Sequence, residues 1–270
     1  MLNKNFCHSE PEGQRISIGL MSFIPSPLWG GLGRGIIALI AIILFSQVQA
    51  HAETINYSIR QMGFDGEATL TLVGPKDYKD HKTILIIFKA HGQNFSDEED
   101  IYVDPTTYKP LYVERNYSLS VFGHGKTLEE YTPSKGEIVI TKTEDAHTTT
   151  QTIHKDGAVD NIYGFIYRYR KEGSFKIGDV LDMTLPTKDL KIKLVKQMPL
   201  KINGKTYDSY YMESQPTRYK IWFDASENKW PLRITGTIGF INSVMTMTGY
   251  DLSTCPVPTG NEQMMAEEKK

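Results

Sequence analysis

Histidine and acidic side chains are the residues of this sequence that could bind a metal ion. Two pairs have a ligand-like spacing, Asp77 with His81 and Asp145 with His147. Each is a single pair in a polar turn region, whereas a zinc site needs about three or four ligands. A site assembled from distant strands is the alternative. We predict that the chain holds no metal and no cofactor.

A run of four acids extends from Asp97 to Asp100, directly after Asn94-Phe95-Ser96. Such a cluster of carboxylates could bind calcium. However, it has neither the alternating ligand spacing nor the mid-loop glycine of a calcium-binding loop. We therefore predict that the segment is a solvated surface loop.

Catalytic motifs are missing from the sequence. Cys255 lies in a Pro-rich tail, where no rigid element would orient a nucleophile. Asp179 and Asp182 could serve acid–base chemistry, but they flank a predicted strand start and are expected to be exposed. There is no Gly-x-Ser-x-Gly elbow and no phosphate-binding loop. We predict that the protein is not an enzyme; an unrecognised hydrolase is the alternative.

Aromatic residues give the positive signal for a binding site, because the chain has 15 tyrosines. The simpler interpretation is that they fill a β core. The functional interpretation is that a curved sheet leaves a concave apolar surface for an acyl chain or the apolar segment of a partner, with a helix as a partial lid. On this interpretation the candidate ligand-binding residues are Tyr163, Ile166, Tyr210, Trp222 and Trp230.

Short segments with period-two alternation, separated by turn residues, make up most of the chain. Lys220–Gly236 predicts an antiparallel hairpin around a polar turn, and Asn203-Gly204 predicts a type I′ turn. Only residues 158–171 have apolar side chains at steps of three and four, so we predict one main helix there. A twisted sheet with this many strands is expected to curl or split rather than stay open and flat. The sequence therefore predicts a mainly β fold, a single curled antiparallel sheet or incomplete β-barrel with one helix.

The first fifty residues are typical of export. An apolar run, Ile36 to Phe45, follows Arg34 and precedes an Ala-x-Ala pattern at Ala50 to Ala52. The run is shorter than the roughly twenty residues that a membrane-spanning helix needs. We predict a cleaved leader and signal peptide over 1–52, with the true start at Met21 and no transmembrane segment after cleavage. A β-rich domain over 53–254 and a disordered tail over 255–270 follow.

The charge balance and the two cysteines indicate which binding partners and which disulfide bonds are possible. Lys and Arg number 30 against 32 Asp and Glu, so there is no basic field to bind nucleic acid. Cys7 falls in the predicted leader, which leaves Cys255 without an intramolecular disulfide partner. We predict a soluble exported protein located in the periplasm.

Several short motifs occur together in one order. They are Asp160 to Arg170, then Phe175-Lys176-Ile177-Gly178-Asp179, then Ile221-Trp222-Phe223-Asp224 with Trp230-Pro231-Leu232-Arg233-Ile234. In these motifs the chain resembles the domain-of-unknown-function family 3108 of exported bacterial proteins. The resemblance implies an envelope protein without an assigned activity. It also implies an architecture similar to the incomplete β-barrel of periplasmic lipoprotein carriers.

Besides the unrecognised hydrolase, these observations lead to two non-enzymatic hypotheses. In the first, an exported, non-enzymatic, β-barrel-like protein holds a hydrophobic ligand, such as a lipid or a lipidated segment, inside a half-barrel. In the second, the protein is an envelope interaction module that docks a protein partner through a sheet edge.

Overall fold

Alternating apolar side chains form strands along most of the chain. The computed structural model describes residues 50–255 except 62, 121–122 and 239–240. The predicted signal-peptide core at residues 36–45 lies outside these residues, as does the predicted tail at 255–270 apart from Cys255, which is the last residue of a strand. Residues 51–254 belong to one compact unit.

Eight strands precede the helix, and six follow it. The first eight are β1 Ala50–Gln61, β2 Phe64–Tyr78, β3 His81–Gly92, β4 Phe95–Val103, β5 Pro110–Leu119, β6 Gly123–Thr132, β7 Glu137–Glu144 and β8 His147–His154. The helix is α1 Ile162–Glu172, and the later strands are β9 Val180–Leu185, β10 Lys188–Ile202, β11 Lys205–Gln215, β12 Lys220–Asp224, β13 Pro231–Ile238 and β14 Ile241–Cys255. A 3₁₀ turn, Pro133–Lys135, joins β6 to β7.

All fourteen described strands belong to one antiparallel sheet in the order β8-β7-β6-β5-β4-β3-β2-β1-β14-β13-β12-β11-β10-β9. Each half of the chain is a meander, and the first and last strands meet in the middle of the sheet. The order leaves β8 and β9 as the two edges, so the sheet does not close into a barrel. This confirms the predicted fold class.

The two hairpins singled out in the sequence are present. Asn203 and Gly204 have φ values of 47° and 82° between β10 and β11, and two successive positive φ angles are the mark of a type I′ turn. Strands β12 and β13 pair with Ile221 opposite Ile234. Both predictions are therefore confirmed, because a local turn signal sets each register.

Helix α1 begins four residues later than the sequence predicted. The Asn161 side chain accepts a hydrogen bond of 2.8 Å from the Tyr163 backbone N–H and so caps the first turn. Seven of its eleven residues are buried, namely Ile162, Tyr163, Gly164, Phe165, Ile166, Tyr167 and Tyr169. A helix that is apolar nearly all round must be enclosed. It is therefore part of the core.

Hydrophobic residues of the helix and of both meanders join in one core cluster, which includes Ile55, Phe88, Ile166 and Phe223. Tyr163 of α1 stacks on Phe88 of β3 with ring centroids 4.8 Å apart. At the other end of α1, the Arg170 guanidinium forms an ion pair of 2.5 Å with Glu53 of β1. Within the described part of the chain, no helix has the length and apolar content that crossing a membrane requires.

Gly164 lets α1 approach the β4–β5 turn closely. A Cβ atom at this position would lie 2.5 Å from the Tyr108 carbonyl oxygen, which belongs to the backbone and cannot swing away. At Gly249 of β14 a Cβ atom would meet nothing within 4 Å. The two positions therefore form a matched pair for testing helix docking.

We expect Gly164→Ala to lower the free energy of unfolding. Overpacking of a core typically costs about 1–3 kcal/mol, which outweighs the roughly 1 kcal/mol that alanine gains in helix propensity. Urea denaturation of Gly164→Ala, with Gly249→Ala as the control, measures the difference. A Gly164→Ala protein as stable as the parent would contradict the close approach.

Candidate functional site

Four adjacent strands bring polar side chains into one row across the inner face of the sheet. Glu99 of β4 lies opposite Arg115 of β5, and Arg115 lies opposite Thr127 of β6. Thr127 in turn lies opposite Lys142 of β7. Directly opposed residues of an antiparallel sheet point to the same face. The strand register therefore assembles this row from four separate parts of the sequence.

A second row, parallel to the first, mixes apolar residues with one acid. It runs from Ile101 through Val113 and Glu129 to Ile140. Glu129 is two residues from Thr127 on β6, so both side chains point to the same face. Apart from Ile101, the residues of the two rows form one wall of a pocket.

Residues from the second half of the chain complete this pocket, which we call the interior pocket and which has a volume of about 660 Å³. They come from the start of α1, the β9–β10 turn, the end of the β11–β12 connection, and β13 and β14. The pocket-lining residues from these elements are Asp160, Asn161, Ile162, Tyr163, Leu185, Pro186, Thr187, Lys188, Arg218, Tyr219, Thr237 and Asn242. Both polar and apolar side chains line the interior pocket.

Buried hydrogen bonds fix the polar wall. The Arg115 guanidinium donates to both carboxylate oxygens of Asp97, at 2.7 Å and 2.6 Å. The Asn161 amide donates to Glu99 at 2.9 Å while its oxygen caps α1. Asp97, Glu99 and Arg115 are each buried, at 4%, 8% and 8% exposure. The position of the helix is therefore coupled to the acidic side of the pocket.

Asp160 joins the segment before α1 to the edge strand β9. Its carboxylate forms ion pairs with Lys109 at 2.6 Å and with Arg168 at 3.0 Å. It also accepts a hydrogen bond of 3.1 Å from the Thr184 backbone N–H, and its own N–H donates to the Thr184 carbonyl. This buried acid is thus matched by two cations and holds the helix against β9.

Burial raises the pKa of Glu99 to about 7, and the neighbouring charges of Asp97 and Glu129 add to the rise. The positive charge of Arg115 and the hydrogen bond from Asn161 oppose it. Burial likewise raises the pKa of Glu129, against the lowering effect of its hydrogen bond from Tyr131. Two carboxyl groups of the pocket wall are therefore perturbed toward the neutral form.

Two residues that line the pocket, Tyr163 and Thr127, have buried hydroxyl groups without a hydrogen-bond partner. The two residues are 1% and 7% exposed. Buried polar groups without a partner are uncommon in folded proteins. No group of three or more potential metal ligands occurs among the described residues.

The geometry is that of a small cavity with apolar and polar walls, and comparison with known proteins places the fold in a family. A family model described as "Protein of unknown function (DUF3108)" matches residues 54–248. The chain belongs to the DUF3108 family. This confirms the resemblance found in the sequence motifs.

One solved structure similar to this DUF3108 chain is the crystal structure of a β-barrel-like protein of the domain of unknown function DUF1849 from Brucella abortus. The sequences are 10% identical, and the similarity covers 77% of this chain and 100% of that chain with a TM-score of 0.44. No curated protein matches the sequence.

The five ligand-binding candidates from the sequence lie in different environments. Tyr163 lines the interior pocket, whereas Ile166 is fully buried in the core cluster. Tyr210 is half-buried against Phe175, with ring centroids 5.2 Å apart. Of these three, Tyr163 reaches the interior pocket.

The two tryptophans also lie elsewhere. Trp222 alternates with the buried Ile221 and Phe223, and its ring lies 4.9 Å from that of Tyr211, its neighbour on β11. Trp230 is 5% exposed and stacks on Tyr250 at 4.5 Å. Neither tryptophan lines the interior pocket.

The prediction that Asp97 to Asp100 form a solvated loop is wrong. The acids belong to strand β4, where Asp97 and Glu99 are buried and Glu98 is exposed. The period of two in Phe95-x-Asp97-x-Glu99-x-Ile101 is the signal that could have revealed it. Arg115 was missed as well, although the same period of two places it on the buried face of β5 with Val113 and Tyr117.

Glu99→Gln tests the perturbed carboxyl group. The pKa of Glu99 is raised from 4.5 to about 7 in the folded state, so between these pH values the carboxyl group takes up a proton on folding. The contribution of Glu99 to the free energy of unfolding therefore falls as the pH rises from 4.5 to 7. We expect the unfolding free energy of the parent, relative to Glu99→Gln, to fall by about 3 kcal/mol between pH 5 and pH 8.

Urea denaturation of both proteins at the two pH values measures this difference. Glu98→Gln, on the same strand with an exposed side chain, is the control and should follow the parent. A parent and Glu99→Gln that change in parallel with pH would show that the Glu99 pKa is unperturbed.

Proposed function

We propose that this DUF3108 protein is an exported, periplasmic, non-enzymatic binding protein. Its ligand is hydrophobic, such as a lipid or a lipidated segment, and occupies the interior pocket. The observation that carries the proposal is the interior pocket itself, a space of about 660 Å³ bounded by α1 and the inner face of the sheet. Pockets that bind small ligands have volumes of about 300–1,000 Å³.

The apolar part of the lining supports a hydrophobic ligand. Val113 and Ile140 on the sheet wall, Ile162 on the helix and Leu185 at the end of β9 all line the pocket. The aromatic rings of Tyr131, Tyr163 and Tyr219 lie among them. An acyl chain against these side chains would remove apolar surface from water on both partners, at about 25 cal/mol for each Å².

Export is proposed from the sequence. Residues 36–45 have the length and composition of a signal-peptide core, and Ala50-His51-Ala52 provides a pattern of small residues for cleavage. A protein released in this way would meet lipids and lipidated proteins of the cell envelope.

Filling the pocket should displace the ligand. The Ile140 side chain lines the interior pocket, and that of its neighbour Val139 points to the opposite face of β7. We expect Ile140→Trp to lower the amount of co-purifying lipid by about tenfold, the effect of a loss of about 1.4 kcal/mol in binding. Mass spectrometry of extracts from protein purified without detergent measures the lipid.

Val139→Trp is the matched control and should keep the parent's lipid. Both variants are first shown to unfold in the same temperature range as the parent. Equal lipid content in Ile140→Trp and the parent, or no lipid in any of them, would rule out the pocket as the carrier site.

A second function, docking of an envelope protein through a sheet edge, is favoured by strand β8. In the described sheet β8 has a neighbour on one side, and its residues are exposed apart from the half-buried Ile153. It contains four threonines, residues with high strand propensity. An open edge of this kind can pair with an added strand.

A photo-crosslinking amino acid at Thr149 of β8 tests this alternative in cells. We expect one dominant protein adduct, because strand addition places one partner along the edge. The same substitution at Thr206, which is exposed on the interior strand β11, should give none. The absence of an adduct at Thr149 would dismiss docking through this edge.

A further inference from the structure

The buried charges of the interior pocket do not balance. Arg115 forms a two-hydrogen-bond ion pair with Asp97, and its charge also acts on Glu99 and Glu129. On this wall a single buried guanidinium therefore faces three carboxyl groups. Glu99 and Glu129 remain on the same wall, and their hydrogen bonds come from the uncharged Asn161 and Tyr131. An unpaired carboxylate out of water is costly. The wall therefore has an excess of negative charge or of protonated carboxyl groups.

The cations of the pocket lining are placed differently. Lys188 and Arg218 are exposed, so they lie where the pocket meets solvent. Lys142 forms an ion pair of 2.7 Å with Glu144. The cations Lys188 and Arg218 thus lie at the opening of the pocket, and Lys142 is paired. Glu99 is 8% exposed and lies deeper.

The hydroxyl groups of Tyr163 and Thr127, which have no hydrogen-bond partner, provide further acceptor oxygens beside the carboxyl groups of Glu99 and Glu129. Tyr163 follows Asn161, the residue that hydrogen-bonds Glu99, and Thr127 is two residues from Glu129 on β6. Each hydroxyl can accept a hydrogen bond as well as donate one. A bound group rich in N–H donors would satisfy polar atoms that the protein leaves without a partner.

We propose that the interior pocket binds an amphiphile with a cationic amine head group, held by Glu99 and Glu129 at the polar wall. The apolar chain lies along Val113, Ile140 and Leu185, and the Tyr163 and Thr127 hydroxyls are further acceptors for the head group. An ammonium group has three donors and no acceptor, which matches a wall of carboxylates and free hydroxyl oxygens. The inference rests on the proposed carrier function and specifies the class of its ligand.

Binding of such a cation should depend on pH. Glu99 has a pKa of about 7, so lowering the pH from 8 to 6 protonates it and weakens its attraction for an amine, which stays charged throughout. The titratable and charged groups around Glu99, from all elements that line the pocket, are Asp97, Arg115, Glu129, Tyr131, Lys142, Asp160, Tyr163, Lys188, Arg218 and Tyr219. Among the carboxyl groups, burial raises the pKa of Glu129 too, so both respond in the same direction.

Three probes with one chain and different head groups test the proposal: decylamine, decanol and decanoate. Isothermal titration calorimetry of the mature protein at pH 8 and low ionic strength gives their dissociation constants. We expect decylamine to bind about tenfold more tightly than decanol, a difference of about 1.4 kcal/mol, and decanoate to bind most weakly. Decylamine affinity should fall by about tenfold at pH 6.

Glu99→Gln should remove most of the preference for decylamine over decanol and most of its pH dependence. Glu98→Gln, with the outward-facing neighbour changed and the same change in net charge, should keep both. Thermal unfolding of each variant shows that it is folded. A preference that survives in Glu99→Gln, or is lost equally in Glu98→Gln, would overturn the assignment.

The outcomes separate this inference from the carrier function. If decanol or decanoate binds as tightly as decylamine, and Ile140→Trp abolishes that binding, the pocket is a carrier site but the amine-specific inference is wrong. If none of the three probes binds the parent protein, both the carrier function and the amine inference fail.

Discussion

Enclosure of helix α1 is the constraint on which the rest of the fold depends. Seven of its eleven residues are buried, so the helix has no broad polar face to turn toward water. Fourteen strands of a twisted sheet provide a concave surface that can cover it. Tyr163, Ile166 and Tyr169 are part of the same cluster as residues from both meanders. The helix therefore joins the two halves of the sheet through one core.

The interior pocket lies where this apolar packing gives way to charge. Asn161 caps the N-terminus of the helix and also hydrogen-bonds Glu99, so the residue at which the helix begins is part of the polar wall. Placing the buried Glu99 and the half-buried Glu129 beside one paired arginine is costly for stability. Natural proteins commonly accept such a cost at binding sites, where the groups gain partners when a ligand arrives. The same residues that position α1 therefore define the chemistry that the pocket can offer.

Local signals were enough to predict much of the sheet. The Asn203-Gly204 turn and the Lys220–Gly236 hairpin each depend on a few neighbouring residues, and both have the predicted form. The acids of β4 were misassigned because four consecutive charged residues are typical of a loop. Their burial depends on a partner from another strand, since Arg115 of β5 forms an ion pair with Asp97. The number of aromatic residues could not predict the pocket. The side chains that face it are determined by how strands from distant parts of the sequence pair with one another.

The pairing of the first and last strands has a consequence for how the chain reaches its native state. The Ser58 hydroxyl on β1 donates to the Thr246 carbonyl on β14, across 188 positions of sequence. Contacts between such distant residues form slowly, because a long loop must close before they contribute. Until β14 has been synthesised, one edge of β1 has no partner strand. Folding that proceeds from the N-terminus therefore cannot be completed before the last strand is available.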